Sequence, residues 1–258
     1  MTKDFINFYK DNKKVGYIEF KNISKDIGEI YIYGQILSGS EKYEEDDVTV
    51  TDFRQKLEDL GNVKEINIFQ NSPGGSIMAG VNILNLLNRH SAIKNVYIDS
   101  LSASISSVIT MCYDNLYIYP TSTLMIHEAM MGFFLVMLNK TQLKEKAEQL
   151  ERIEENMIIP AYMQKATSEL TEDLLRNLLM EESWLGAKDI QKYFKNVTLI
   201  EKEKDLAACA NFDILNKYNN VPQKFKDILN NPINHKQLQH QQSNNLQKQK
   251  LKLELDLI

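Results

Sequence analysis

Apolar and polar positions alternate in several short stretches of the chain, and this pattern is typical of β-strands. Strands are predicted at residues 15–20, 29–33, 64–70, 95–98, 116–119, 124–127 and 197–200. Apolar residues spaced three and four positions apart predict helices at residues 51–60, 77–87, 104–111, 140–166, 171–180 and 187–194. Thr51 is the expected N-cap of the first helix, and Gly61 ends it. Strands that alternate with helices predict an α/β fold with a largely parallel sheet.

The longest predicted helix, at residues 140–166, carries a continuous apolar stripe. Pro160 should kink this helix, because its ring meets the carbonyl group of Asn156. A second apolar stretch at residues 132–138 precedes the helix. A monomer is not expected to bury both apolar surfaces, so we expect the chain to assemble into rings or stacked rings.

The composition changes at about residue 202, and residues 234–250 are rich in Gln and Asn without an apolar face. Such a segment is not expected to bury enough surface to fold alone. Three regions are therefore predicted: an N-terminal strand or extension at 1–28, a folded domain at 29–201, and a mostly disordered, low-complexity tail at 202–258.

Charge and cysteine content exclude several classes of function. The chain has 258 residues and a formal net charge of -5, which disfavours broad electrostatic capture of nucleic acid or of anionic membranes. Cys112 and Cys209 lie far apart without a CxxC motif, so we expect a reducing compartment and no metal site. The first ten residues lack the apolar core of a signal peptide, and residues 132–138 are too short to span a bilayer. The expected location is cytoplasmic.

Candidate chemistry lies in two short segments and one histidine. His127 ends a predicted strand, where a lone histidine is more often structural than catalytic. Residues 101–107 carry four serines between a strand and a helix, where free N–H groups favour negative charge. The same serines also suit close packing or an N-cap. Residues 71–75, Asn-Ser-Pro-Gly-Gly, match neither a Walker loop nor GxGxxG. They form either a simple tight turn or one whose glycine N–H donates to an oxyanion.

Taken together and in this order, three segments resemble the proteolytic subunit of the Clp protease family of serine peptidases. They are Asn-Ser-Pro-Gly-Gly-Ser-Ile-Met-Ala-Gly at 71–80, Ser-Ala-Ser at 102–104 and Leu-Met-Ile-His at 124–127. The interval of 29 residues from Gly75 to Ser104 matches the family, and the interval from Ser104 to His127 is close to it. The resemblance covers about residues 29–201. It implies a repeated β-β-α spiral, shared with crotonases, with a projecting long helix and ring formation.

The resemblance also implies the roles of individual residues. Ser104 falls on the nucleophile and His127 on the general base. Glu182 falls on the third member of the triad, which is Asp in the cellular proteins, and the adjacent Glu181 stays open as an alternative. The oxyanion donors fall on the backbone N–H groups of Gly75 and of Ile105. The resemblance implies a polypeptide substrate and requires no metal, cofactor, nucleic acid or membrane.

Four segments look closest to the phage and prophage branch of the family, the head-maturation proteases: residues 29–34, 63–67, 104–111 and 182–187. This branch implies a capsid or scaffold precursor as substrate and a site of action in the host cytoplasm or the assembling prohead. The alternatives are a cellular Clp subunit that works with an ATP-dependent AAA+ unfoldase, a catalytically inactive scaffold relative, and an acyl-CoA-binding member of the crotonase superfamily.

Overall fold

The structure is a computed structural model that describes residues 5–10, 13–37, 50–132, 135–201 and 213–230. Most of the predicted tail, at 202–212 and 231–258, lies outside the described residues. The chain divides into two compact units, Met1–Asn220 and Val221–Ile258. The first unit therefore extends past residue 201, where the predicted domain ends, and includes residues 213–220.

Nine strands of the described residues form one mixed sheet. They are β1 (Phe5–Lys10), β2 (Lys13–Asn22), β3 (Ile27–Gly34), β4 (Glu65–Ser72), β5 (Ile93–Ala103), β6 (Asn115–Ile118), β7 (Thr123–Ile126), β8 (Ser183–Leu185) and β9 (Val197–Leu199). The main order is β1-β2-β3-β4-β5-β6-β9, and β7 pairs with β5 and with β8. Strands β3, β4, β5, β6 and β9 run parallel, whereas β1, β2 and β8 pair antiparallel. The sheet is thus parallel at its centre, as the alternating pattern predicts, and antiparallel at its margins.

The first unit contains seven α-helices among its described residues, and the second contains one. They are α1 (Val50–Asp59), α2 (Ile77–Arg89), α3 (Ile105–Thr110), α4 (Lys140–Ile153), α5 (Ile159–Lys165), α6 (Glu172–Met180), α7 (Ala187–Tyr193) and, in the second unit, α8 (Gln223–Asn230). A 3₁₀ helix spans Asp213–Lys217. Helix α1 begins at Val50, so Thr51 lies inside the helix and the prediction that it is the N-cap is wrong.

The core consists of the apolar residues on the buried faces of the sheet and of the helices. Alternate residues of β3, among them Ile30 and Ile32, are buried, because successive side chains of a strand point to opposite faces. Helix α2 buries Ile83 and Leu87, which lie on one face at helical spacing. The Ser76 hydroxyl caps this helix by accepting a hydrogen bond from the Ala79 N–H.

Strand β5 changes its neighbour halfway along its length. Residues 95–98 pair with β6, whereas residues 101–103 pair with residues 123–125 of β7. The pairing with β7 is parallel, so both strands end at the same edge of the sheet. Ser104 follows β5 and His127 follows β7, so two residues that are distant in sequence become neighbours.

The long helix predicted at 140–166 is distorted before Pro160 rather than at it. A π-helical turn, Glu154–Ile158, separates α4 from α5, and the Ile159 N–H bonds to the Glu154 carbonyl five residues earlier. Pro160 then lies in the first turn of α5, where its missing N–H is tolerated. Helix α4 contains no buried residue. Among the described residues, no helix combines the length and apolar character needed to cross a membrane.

Candidate active site

Ser104 occupies a sharp turn between β5 and α3. Its φ of 55° and ψ of -129° are unusual for a residue other than glycine and are typical of a strained functional turn. The Ser104 N–H donates to the Met125 carbonyl at 2.9 Å. The Ser104 carbonyl accepts from the N–H of Ser107 at 2.9 Å and from its hydroxyl at 2.5 Å. The backbone is thus fixed on both sides of the turn, which exposes the Ser104 side chain at the end of the strand.

His127 lies beside this serine at the end of β7. Its Nε2 atom is 2.7 Å from the Ser104 Oγ atom, a hydrogen-bonding distance. Burial lowers the pKa of His127 below its ordinary value of 6.5, because it penalises the charged imidazolium. The negative charge of Glu182 and a hydrogen bond to the backbone of Glu128 act in the opposite direction. Burial therefore favours the neutral ring, which is the form that can accept a proton.

The turn at residues 73–75 lies against Ser104, because a Cβ atom on Gly74 would meet the Ser104 Cβ atom, and the Gly74 N–H donates to the Ser72 hydroxyl at 3.2 Å. Gly74 and Gly75 have φ values of 89° and 151°. A Cβ atom on Gly75 would overlap the Ile36 carbonyl, which leaves only glycine able to fit here. Two hydrogen bonds of 2.8 Å, from the Ile36 N–H to Gly74 and from the Ser76 N–H to Ile36, hold the turn in place. Within the described part of the chain, the N–H groups of Gly75 and Ile105 have no acceptor, so both are free to bind a developing oxyanion.

A cavity of about 330 Å³ adjoins the two side chains. Its walls are largely apolar, and residues 128–132 form one side of it. The remaining lining residues that face Ser104 and His127 are Gly75, Ile77, Ile105, Val108, Ile158, Tyr162, Lys217 and Tyr218. The cavity has the size and the mostly apolar lining that are typical of pockets for small ligands.

Three other serines that lie near Ser104 in the sequence have different partners. The Ser102 hydroxyl donates to the Gln70 side chain at 2.9 Å and also contacts Ser106 at 3.2 Å. The Ser107 hydroxyl lies 2.6 Å from the Tyr162 hydroxyl. All three are buried, whereas the Ser104 Oγ faces His127. These contacts distinguish Ser104 from its neighbours, which the sequence pattern alone does not.

Glu182 lies close to His127, but its carboxylate accepts hydrogen bonds from a different segment of the chain. The backbone N–H groups of Asn219 and Asn220 donate to Glu182 at 3.0 and 2.7 Å. Among the hydrogen bonds of the described residues, none joins this carboxylate to the His127 ring. Glu181 is exposed, and only its carbonyl contacts the same segment, through the Asn220 side chain. Ser104 and His127 are thus within hydrogen-bonding distance of each other, whereas the negative charge of Glu182, the predicted third residue, raises the pKa of the His127 ring.

Tyr218 is a member of the site that the sequence analysis missed. Its ring centroid lies 5.1 Å from that of His127 in an edge-on arrangement and 6.2 Å from that of Trp184. Its hydroxyl donates to the Pro73 carbonyl at 3.0 Å, and the side chain is only 8% exposed. Burial raises the pKa of Tyr218 to about 12, so the hydroxyl keeps its proton. The signal in the sequence was the pair Leu215 and Tyr218, three residues apart at the edge of a polar region.

Within the ranges that the structure describes, no three side chains of His, Cys, Asp and Glu come together in a way that would hold a metal ion.

A comparison with protein families agrees with this geometry. A family model described as Clp protease matches residues 22–194, which is more than half of the chain. The chain belongs to the Clp protease family. The match places it among serine-type peptidases and covers Gly75, Ser104, His127 and Glu182, but not residues 213–220. No curated protein matches the chain.

Proposed function

We propose that this Clp-family chain is a serine endopeptidase in which Ser104 is the nucleophile and His127 is the general base. The observation that carries the proposal is the distance of 2.7 Å between the His127 Nε2 atom and the Ser104 Oγ atom. The strained backbone of Ser104 and the free N–H groups of Gly75 and Ile105 lie at the same point. Acyl transfer needs this combination of nucleophile, base and oxyanion donors.

The proposed reaction begins with attack on a peptide carbonyl. His127 takes the Ser104 proton as the Oγ atom bonds to the carbonyl carbon, and the N–H groups of Gly75 and Ile105 bind the resulting oxyanion. His127 then gives the proton to the leaving amine as the peptide bond breaks, which leaves an acyl-enzyme. Water, deprotonated by His127, hydrolyses the ester and restores Ser104. These steps use only groups of the chain and water.

Glu182 is the proposed third member of the triad. Its charge raises the pKa of His127, which means that it stabilises the imidazolium that forms during the reaction. Glu181 is exposed, and no charge effect of Glu181 on His127 is resolved. This difference between the two glutamates favours Glu182 as the partner of His127. Its carboxylate would accept the ring N–H after the Asn219 and Asn220 N–H groups have left it.

The proposed setting is the maturation of a phage or prophage capsid, with a capsid or scaffold precursor as the polypeptide substrate and the host cytoplasm or the assembling prohead as the location. The similarity of residues 29–34, 104–111 and 182–187 to that branch supports it. A homo-oligomer is part of the proposal, because α4 buries none of its residues and Leu143 on it is 53% exposed. Gene neighbourhood tests the setting: portal and capsid genes nearby would support it, and an unfoldase gene without them would favour the cellular alternative.

Cleavage of an unfolded polypeptide without nucleotide tests the activity itself. The wild type should cleave the chain, and Ser104→Ala should reduce cleavage to background because it deletes the attacking oxygen. Ser102→Ala is the matched control, because its hydroxyl is two residues away and bonds to Gln70 rather than to His127. Full activity in Ser104→Ala would refute the assignment of the nucleophile. Cleavage only with an ATP-driven unfoldase would favour the cellular type of Clp protease.

A further inference from the structure

Tyr218 spans the distance from the general base to the oxyanion turn. Its ring packs edge-on against His127, and its hydroxyl reaches the carbonyl of Pro73, the residue before Gly74 and Gly75. The side chain is held from the other side by the Trp184 ring. Tyr218 therefore fills the space next to His127 that is continuous with the glycine turn.

A bound polypeptide needs this same space. In the proposed reaction the leaving amine takes its proton from His127, so the chain beyond the scissile bond must pass against the His127 ring. A substrate chain cannot enter the volume that the Tyr218 ring itself takes against His127, although the adjoining cavity is open. The Tyr218 ring and the leaving segment of a substrate thus compete for one position.

The two residues after Tyr218 also oppose the active arrangement of the proposed triad. The N–H groups of Asn219 and Asn220 both donate to the Glu182 carboxylate. Hydrogen bonds from two N–H groups stabilise a carboxylate and reduce the advantage that it gains from accepting the His127 ring N–H. The same short segment therefore packs against His127, the proposed base, and also forms hydrogen bonds with Glu182, the residue that is proposed to orient it.

Few buried side chains hold this segment against the rest of the first unit. Within residues 215–220, only Leu215 and Tyr218 are buried, and the four other residues are exposed. The local structure is a single 3₁₀ helix, Asp213–Lys217, followed by the Tyr218 N–H bond to Leu215 at 3.0 Å. Short helices of this kind have little stability of their own. Because none of residues 213–220 belongs to a strand, their departure would break no hydrogen bond between strands of the sheet.

From these contacts we propose that residues 213–220 form an autoinhibitory strap, which blocks the leaving-group side of the active site and must move before a polypeptide is cleaved. The inference rests on the proposed function, because the strap has a regulatory meaning only if Ser104 and His127 are the catalytic pair. A long substrate chain makes more contacts with the active site than a short peptide does. We therefore expect a long chain to displace the strap.

The test compares full-length variants by two rates: hydrolysis of a short fluorogenic peptide and labelling of Ser104 by a fluorophosphonate. Tyr218→Ala removes the ring, Tyr218→Phe removes only the hydroxyl with its hydrogen bonds to Pro73 and to Ser104, and Asn216→Ala is the matched control in an exposed position of the same segment. If the closed state holds most of the molecules, Tyr218→Ala should raise both rates about tenfold. Tyr218→Phe should raise them less, and Asn216→Ala should leave them unchanged.

Two results would overturn the strap. Rates in folded Tyr218→Ala that equal or fall below those of the wild type would show that Tyr218 is a wall of the substrate site and not an occupant. If Tyr218→Ala does not fold, Tyr218→Phe decides, and the absence of a rise in Tyr218→Phe would overturn the proposal. Failure of the proposed function has a different signature, because Ser104 would then remain unlabelled in the wild type and in every variant.

Discussion

The Nε2 atom of His127 lies 2.7 Å from the Oγ atom of Ser104, although the two residues are separated by 23 positions. The relationship depends on β5, which is long enough to pair first with β6 and then with β7. It also depends on the turn at Ser104, whose N–H is bonded to the Met125 carbonyl on β7. The distance between Ser104 and His127 is therefore set by the register of the sheet.

The pH dependence of peptide hydrolysis should reflect His127. Burial lowers the pKa of this ring, so kcat/KM should fall on the acid side at a pH below the ordinary histidine value of 6.5. Glu182→Gln removes a negative charge that raises the pKa, so this acid limb should move to still lower pH while kcat falls. Glu181→Gln is the matched control, and its limb should stay in place. A limb that moves to higher pH in Glu182→Gln would contradict the proposed charge interaction.

Gly75 should tolerate no side chain. Gly75→Ala would place a Cβ atom against the Ile36 carbonyl, so the turn must shift and the N–H that is proposed to bind the oxyanion moves with it. Loss of one such donor costs about a hundredfold to a thousandfold in kcat. Gly61→Ala is the control, because Gly61 also has a positive φ, 72°, but has open space around it. It should lose about 1–2 kcal/mol of stability and keep its activity.

Thermal unfolding measured beside peptide hydrolysis separates the two effects of these glycine substitutions. Gly75→Ala should lose activity at temperatures where it is still folded. Equal activity in folded Gly75→Ala and in the wild type would exclude the Gly75 N–H from the reaction.

Much of the fold is predictable from the sequence because periodicity reports local structure. Strands β3, β4, β6 and β7 and helices α2, α6 and α7 lie within a few residues of their predicted positions. Strand β5 runs five residues past its predicted end at residue 98, and this extension pairs with β7. Strand β8 was missed because three residues are too few to show alternation, and it forms only through its pairing with β7. The π-helical turn was missed for a similar reason, since nothing in the spacing distinguishes it from a helix kinked at Pro160.

The candidate site was predictable only in part. The glycine turn, Ser104 and His127 carry recognisable spacing, and the structure brings these three together. The bonding of Glu182 was not predictable, because its partners Asn219 and Asn220 lie in a segment that composition assigns to a polar tail. Contacts between residues so far apart in sequence depend on the tertiary fold, which local patterns do not encode.

Glu154 should support the wall of the cavity. Its carboxylate, presented by the π-helical turn, accepts a hydrogen bond from the Ala129 N–H at 2.6 Å, and residues 128–132 line the cavity. Glu154→Ala leaves this N–H without its acceptor, so KM for a peptide should rise about tenfold with a smaller change in kcat. Glu154→Gln keeps an acceptor and should recover most of the affinity. A fall in kcat at constant KM would instead place Glu154 in the chemical step.

The exposed apolar surface before and along α4 should mediate assembly. Leu135 and Met137 are 90% and 98% exposed, and α4 buries no residue. A chain of 29.9 kDa with such a surface should sediment and scatter light as a multiple of its own mass. Leu143→Lys, on the exposed face of α4, should weaken this assembly, whereas Lys144→Ala should not. A stable monomer of the wild type at micromolar concentration would contradict the expected ring.

The identity of the nucleophile is tested most directly by mapping the adduct of a fluorophosphonate on the full-length protein. Mass spectrometry of the intact chain should show one added group, and peptide mapping should place it on Ser104, the serine whose Oγ atom faces His127. Ser104→Ala should remain unmodified under the same conditions, and Ser102→Ala should be modified like the wild type. An adduct on another serine, or equal modification of Ser104→Ala, would contradict the proposal that Ser104 and His127 form the catalytic pair.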